Sequence, residues 1–178
     1  YSALSCVRIG TGDGGMEGRS VEAIVAALNA AQVRYLIAGG LAVVAHGHVR
    51  FTADVDLVLS LEPENVTRAV AALGGLGYRP RVPVPFAAFA DPEQRTVWAR
   101  EHNMTVFSVY SAEHPATEVD IFVQAPLDFE AAYAARSLMA VAPGVTATFV
   151  GLTDLLRQRP FDADTTAAQA AIAALSDT

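Results

Sequence analysis

The chain of 178 residues contains no lysine, and all 12 of its basic residues are arginine. Every positive charge it can bring to a phosphate or carboxylate is therefore a planar, permanently ionised guanidinium, never a compact ammonium. Positive charge is also in the minority. Nineteen acidic residues leave a formal net charge of −7, which argues against a surface built mainly to grip a nucleic-acid backbone. Cysteine is nearly missing too: Cys6 is the single one, so neither an intrachain disulfide nor a cysteine-based metal cage can form within these residues. The uncharged stretch 35–49 is too short for a bilayer and is broken by Gly39, Gly40, Gly47 and two histidines. Residues 1–15 are glycine-rich and lack the apolar segment of a signal peptide. The expectation is a soluble, cytoplasmic protein with no membrane attachment.

What is present describes an ordered globular chain, with 52% hydrophobic and 17% charged residues. Residues 1–18 read as a flexible leader, 19–160 as one folded domain, and 161–178 as a C-terminal helix packed on that domain. The GTGDGG run in the leader is followed by no Gly-Lys-Ser/Thr, so it is not a phosphate loop. Ser20 reads as the cap of a helix over 21–31, and 33–38 as a buried strand turning at Gly39-Gly40 into a short helix that starts near Leu41. A second strand covers 54–59. Pro63 and Gly74 bracket a helix, and 78–82 suits an edge strand because of its prolines. Asp91-Pro92 opens a helix to about Glu101. Residues 103–110 and 117–123 read as a strand pair, and Asp128 as the cap of a helix to Arg136. A hairpin turns at Pro143-Gly144, a short helix follows near 153–158, and a last one covers 165–175. This alternation predicts an α/β (α+β) fold with a mixed, partly antiparallel sheet flanked by helices.

Two aspartates interrupt the second strand in a way that core packing does not require. Alternate residues of a strand share a face, so Asp54 and Asp56 project together while Val55, Leu57 and Leu59 face the other way. Their Cα atoms should lie roughly 6.5 Å apart. At that separation two carboxylates repel by about 2.5 kcal/mol for an effective dielectric near 20. TEVDIFV repeats the texture, with Glu118 and Asp120 opposite Val119, Ile121 and Val123. If that strand lies beside 54–59, Asp120 joins the pair. Three carboxylates that share a hard cation with phosphates suit Mg²⁺ or Mn²⁺. Upstream, a strand entering a helix through Gly39-Gly40 lets backbone N–H groups approach an anion closely. The order is thus a phosphate seat, thirteen residues, then a metal-binding pair. Each part alone is common; a Gly-Gly turn or an Asp-x-Asp on a solvated strand edge carries no chemistry by itself.

This ordered combination resembles the nucleotidyltransferase superfamily of the DNA polymerase β-like fold, whose signature is a glycine pair, then Asp-x-Asp/Glu, then a later third Asp. GGLAVVAHGHVRFTADVDL followed by EVDIFV is similar to the AbiEii-type toxin branch, over roughly residues 20–160. The resemblance implies that Gly39 and Gly40 seat the triphosphate of an NTP and that Asp54 and Asp56 bind the metal ions. Asp120 completes the site as ligand and as base for the acceptor. The implied reaction moves a nucleotide monophosphate onto an acceptor with release of pyrophosphate. RNA such as tRNA, or a protein, is the favoured acceptor, a small molecule the other; a separately encoded antitoxin is the implied partner. In GLTDLLRQRPFDAD, Arg159 stands where that branch carries a lysine, and the spacer before Arg-Pro is missing. Asp162 or Asp164 would answer to a later aspartate.

Other candidates have two readings each. Arg50 and Thr52 precede Asp54 and are close enough in sequence to meet the nucleotide, or they are exposed loop residues. His46 and His48, two apart near a helix end, diverge and are not read as a ligand pair. Arg79, Arg81, Arg95 and Arg100, interleaved with Tyr78 and Trp98, form either a patch for RNA or a base or ordinary surface arginines around a half-buried Trp98. Phe86, Phe89, Phe107 and Phe122 read as packing. The alternative to an enzyme is a degenerate, non-catalytic nucleotide- or partner-binding domain of the same fold.

Overall fold

The sheet is organised around the two strands that carry the aspartates. The computed structural model describes residues 15–45 and 54–157, with side chains over 18–42 and 54–155. In chain order the elements are α1 (Gly15–Ala30), β1 (Tyr35–Ala38), α2 (Gly39–Ala45), β2 (Asp54–Leu59), α3 (Pro63–Gly75), β3 (Arg79–Pro80), a 3₁₀ helix (Phe86–Ala90), α4 (Pro92–Glu101), β4 (Val106–Tyr110), β5 (Glu118–Phe122), α5 (Phe129–Ala134), β6 (Ser137–Ala142), β7 (Val145–Phe149) and α6 (Leu152–Arg157). The architecture is mixed α/β of the α+β kind: one seven-stranded sheet in the order β3-β4-β5-β2-β1-β7-β6, flanked by helices. β2 runs antiparallel to β1 and parallel to β5, and β5 is antiparallel to β4.

Local chemistry accounts for most boundaries. Val21, Ile24, Val25 and Leu28 form the buried stripe of α1. Pro63 occupies the first turn of α3, where its missing N–H is no loss. The Asp91 side chain accepts from the Glu93 N–H, and Asp128 accepts from the Ala131 N–H, so both caps fall where the sequence predicts them. The hairpin of β6 and β7 turns through Gly144 at φ 75. Asn65 on α3 ties the start of β1 to the end of β2: its side chain accepts from the Arg34 N–H and donates to the Arg34 and Ser60 carbonyls. One sheet face carries Ile37, Leu57, Val119, Ile121, Phe107 and Val109, all essentially buried in the main core.

Four expectations need correction. α1 begins at Gly15, and Ser20 does not cap it: Ser20 is buried inside the helix with its Oγ 3.0 Å from His114 Nδ1. α2 begins at Gly39 itself, two residues before Leu41. Phe86–Ala90 forms a 3₁₀ helix where no element was expected, because Phe89 is drawn into the aromatic cluster with Trp98 and Phe107. Arg95 is not on the surface. It is 5% exposed and donates to the carbonyls of Phe89 and Leu61, with Trp98 buried beside it, so the proposed arginine patch does not form as a unit. The leader up to residue 14, His46, His48 and the helix over 165–175 lie outside the described residues.

Candidate active site

On the other sheet face, strand register sorts side chains into rows. The innermost row is apolar: Leu36, Val58 and Phe122 are buried. The next row crosses the sheet as Ala38, Asp56, Asp120 and Ser108, each the Cα partner of its neighbour. The third contains Asp54 and Glu118, again direct partners. Asp120 thus stands beside Asp56 because β5 pairs with β2 in parallel, as the repeated texture of the two strands predicts. Adjacent strands are about 4.8 Å apart, so Asp56 and Asp120 form a facing pair with Asp54 one step along. The carboxylates thus lie at one end of a face whose other end is buried.

Gly39 explains the double glycine in a way not foreseen. Its φ is +61, and a Cβ placed there would fall 2.7 Å from Asp56 Cγ and nearer still to Oδ2. The anion that approaches this backbone is the carboxylate of Asp56. Only glycine admits both the left-handed conformation and that contact. Gly40 follows it in the first turn of α2.

Each outer carboxylate has a polar partner on the far side. Ser108 Oγ donates to Asp120 Oδ1 at 2.5 Å, a short bond that fixes the orientation of Asp120. Arg81 donates to both oxygens of Glu118, Nε to Oε1 at 2.5 Å and Nη2 to Oε2 at 2.7 Å. The bidentate bond holds the Glu118 carboxyl below its ordinary range, and the Arg81 guanidinium is raised by the same pairing, with Asp120 contributing from further off. Arg81 lies over the Tyr110 ring at 5.1 Å. A cavity of about 400 Å³ at the other end of β4 and β5, bordered by Asn103, Met104, Phe122 and Gln124, contains none of these carboxylates.

The donors match a hard divalent cation in kind: carboxylate oxygens on adjacent strands, two of them in register. Among the described residues, however, no group of three or more His, Cys, Asp or Glu side chains converges as a metal-holding cluster. The fit is therefore one of donor type and strand register, with Asp56 and Asp120 as its centre. Arg50, Thr52 and Arg159, expected to meet the nucleotide, lie outside the described residues, as do Asp162 and Asp164. Sequence reasoning missed Ser108 and the Arg81–Glu118 pair. The alternation of VFSVY already placed Ser108 opposite Phe107 and Val109, but its partner follows only from the register of β4 with β5.

No protein-family model matches the chain, and no curated protein matches it in sequence. Among the described residues no helix is long and apolar enough to cross a membrane.

Proposed function

We propose that the chain is a cytoplasmic, metal-dependent nucleotidyltransferase that moves a nucleotide monophosphate from an NTP to an acceptor hydroxyl or phosphate. The observation that carries this reading is the in-register pair Asp56–Asp120 on adjacent parallel strands, with the Asp56 carboxylate against Gly39. Asp54, Asp56 and Asp120 would hold Mg²⁺ or Mn²⁺, which when bound supplies charge neutralisation to the phosphates. The acceptor oxygen forms a bond to the α-phosphorus, and the bond to pyrophosphate breaks. Asp120, which accepts a hydrogen bond from Ser108, would take the acceptor's proton. Gly39 admits the Asp56 carboxylate against its backbone, and this reading assigns the phosphates to the same turn with Gly40. RNA such as tRNA or a protein is the acceptor class this reading favours, and an antitoxin partner goes with it.

A second reading, a non-catalytic nucleotide- or partner-binding domain, is favoured by one observation: Glu118 and Asp120 are already engaged by Arg81 and Ser108. Thermal stability measured with each NTP, with and without Mg²⁺ or Mn²⁺, tests the first reading. Ligand at 100 times Kd should add about 2.7 kcal/mol, and Asp56→Asn should lose the metal-dependent part. A nucleotide shift that ignores both metal and Asp56→Asn would move the assignment to the second reading.

A further inference from the structure

A face carrying Asp54, Asp56, Glu118 and Asp120 repels the phosphates it is meant to receive unless a cation stands on it. Beyond the proposed metal ion, the chain has no lysine to supply one. Among the described residues, the arginine whose guanidinium reaches this face is Arg81. It is placed there by the sheet: its backbone N–H donates to the Ser108 carbonyl at 3.0 Å, next to Pro80 of β3, which pairs with Val109. From that edge its side chain crosses β4 to grip Glu118 on β5, the register partner of Asp54. The carboxylate it grips thus belongs to the strand directly beside that of Asp54 and Asp56.

Resting on the nucleotidyltransferase reading, we infer that Arg81 is a phosphate-binding residue of this site, held at Glu118 until a phosphate group arrives. Three features support the exchange. The pair is exposed, with side-chain exposures of 57% for Arg81 and 27% for Glu118, and an exposed pair is weakly held. The planar fork that spans two carboxylate oxygens spans two phosphate oxygens with the same geometry. Tyr110, 43% exposed beneath the guanidinium, supports it in the extended position without closing it off. A phosphate held through a metal ion at Asp56 and Asp120 would stand one row from the Glu118 carboxylate that Arg81 grips. That phosphate belongs either to the NTP or to a phosphate-bearing acceptor.

The test is the affinity of full-length wild type, Arg81→Gln and Arg81→Lys for each NTP with Mn²⁺ and, separately, for a short single-stranded oligonucleotide. Thermal melting confirms that the variants are folded, as the exposure of Arg81 leads one to expect. Arg81→Gln should weaken binding by about tenfold or more, with Arg81→Lys between it and wild type. Loss confined to the NTP assigns the donor phosphates, and loss confined to the oligonucleotide assigns the acceptor. Wild-type affinities in Arg81→Gln for both probes overturn the inference while leaving the function intact. Wild-type protein that binds neither probe overturns both.

Discussion

Two arginine–glutamate pairs in this protein are built from the same parts and sit in different surroundings. Arg34 grips Glu130 through both terminal nitrogens at 2.9 and 2.7 Å and lies over the Tyr133 ring at 4.6 Å. Arg81 grips Glu118 through two nitrogens and lies over Tyr110. In both, the hydrogen-bonded guanidinium pulls the glutamate carboxyl down. Yet Arg34 has its own backbone clamped on both sides by Asn65, and Glu130 belongs to α5, so the pair fastens that helix to the start of β1. Glu118 belongs to the strand of Asp120 and is the partner of Asp54. The bidentate bond is the same; its neighbours differ, a helix to be fastened in one case and the aspartate strands in the other.

Glycine gives the sharpest way to break this comparison, because each region has one that a methyl group would disturb. A Cβ on Gly151 would lie 2.6 Å from the Ala135 carbonyl oxygen at the end of α5, and one on Gly39 would strike the Asp56 carboxyl. Gly39→Ala also forces a side chain into a left-handed backbone. Each substitution should cost about 1–3 kcal/mol of stability in denaturant titrations. Only Gly39→Ala should also abolish the metal-dependent NTP shift. Equal loss of nucleotide binding in Gly151→Ala would mean that the two regions are not separable.

Much of this arrangement was legible in the residues and part was not, for physical reasons. Strand alternation exposed the shared face of Asp54 and Asp56 and the matching texture around Asp120, because period-two patterning is local. The hairpin at Pro143-Gly144 and the caps at Asp91 and Asp128 were equally local. What escaped depends on partners distant in sequence. Arg95 is buried because Leu61, 34 residues away, offers it a carbonyl. Ser20 is spent on His114, 94 residues away, and so does not cap α1. Gly39 was read as a seat for a ligand's anion, whereas its conformation is tied to Asp56, a contact visible only once β1 and β2 pair. Arg81 was one surface arginine among four until the edge position of β3 aimed it across the sheet.

A smaller effect tests whether the two regions rest on equally firm supports. Each arginine has a buried tyrosine close by in sequence: Tyr35 directly follows Arg34, and Tyr78 precedes Arg81 by three residues. Burial pushes both phenols from 10.0 up to about 12. A raised folded-state value means that the neutral phenol is favoured by folding. Its contribution is therefore complete below pH 10 and is lost as pH rises from 10 to 12. Stability should fall by about 2–3 kcal/mol per tyrosine across that window. Tyr78→Phe should remove its share of the fall, at a cost near neutrality of about 1 kcal/mol for the lost bond from its hydroxyl to the Thr117 carbonyl. An alkaline limb unchanged in Tyr78→Phe would assign the whole titration to the Tyr35 side.

The smallest effect separates the two arginines themselves. Arg34→Gln removes the fastening of α5 and its place over the Phe129 and Tyr133 rings, yet exposed pairs contribute little. The melting temperature should therefore drop by only a few °C, with NTP affinity unchanged. Arg81→Gln should do the reverse, leaving melting within about 2 °C of wild type while weakening ligand binding. If instead both substitutions moved melting alike and neither moved binding, Arg81 would be a second fastening, joining the β3 edge to β5 as Arg34 joins α5 to β1. The carboxylate row would then be left with the proposed metal ion as its counter-cation, and Arg50 and Arg159 would be the arginines the sequence singles out for the phosphates.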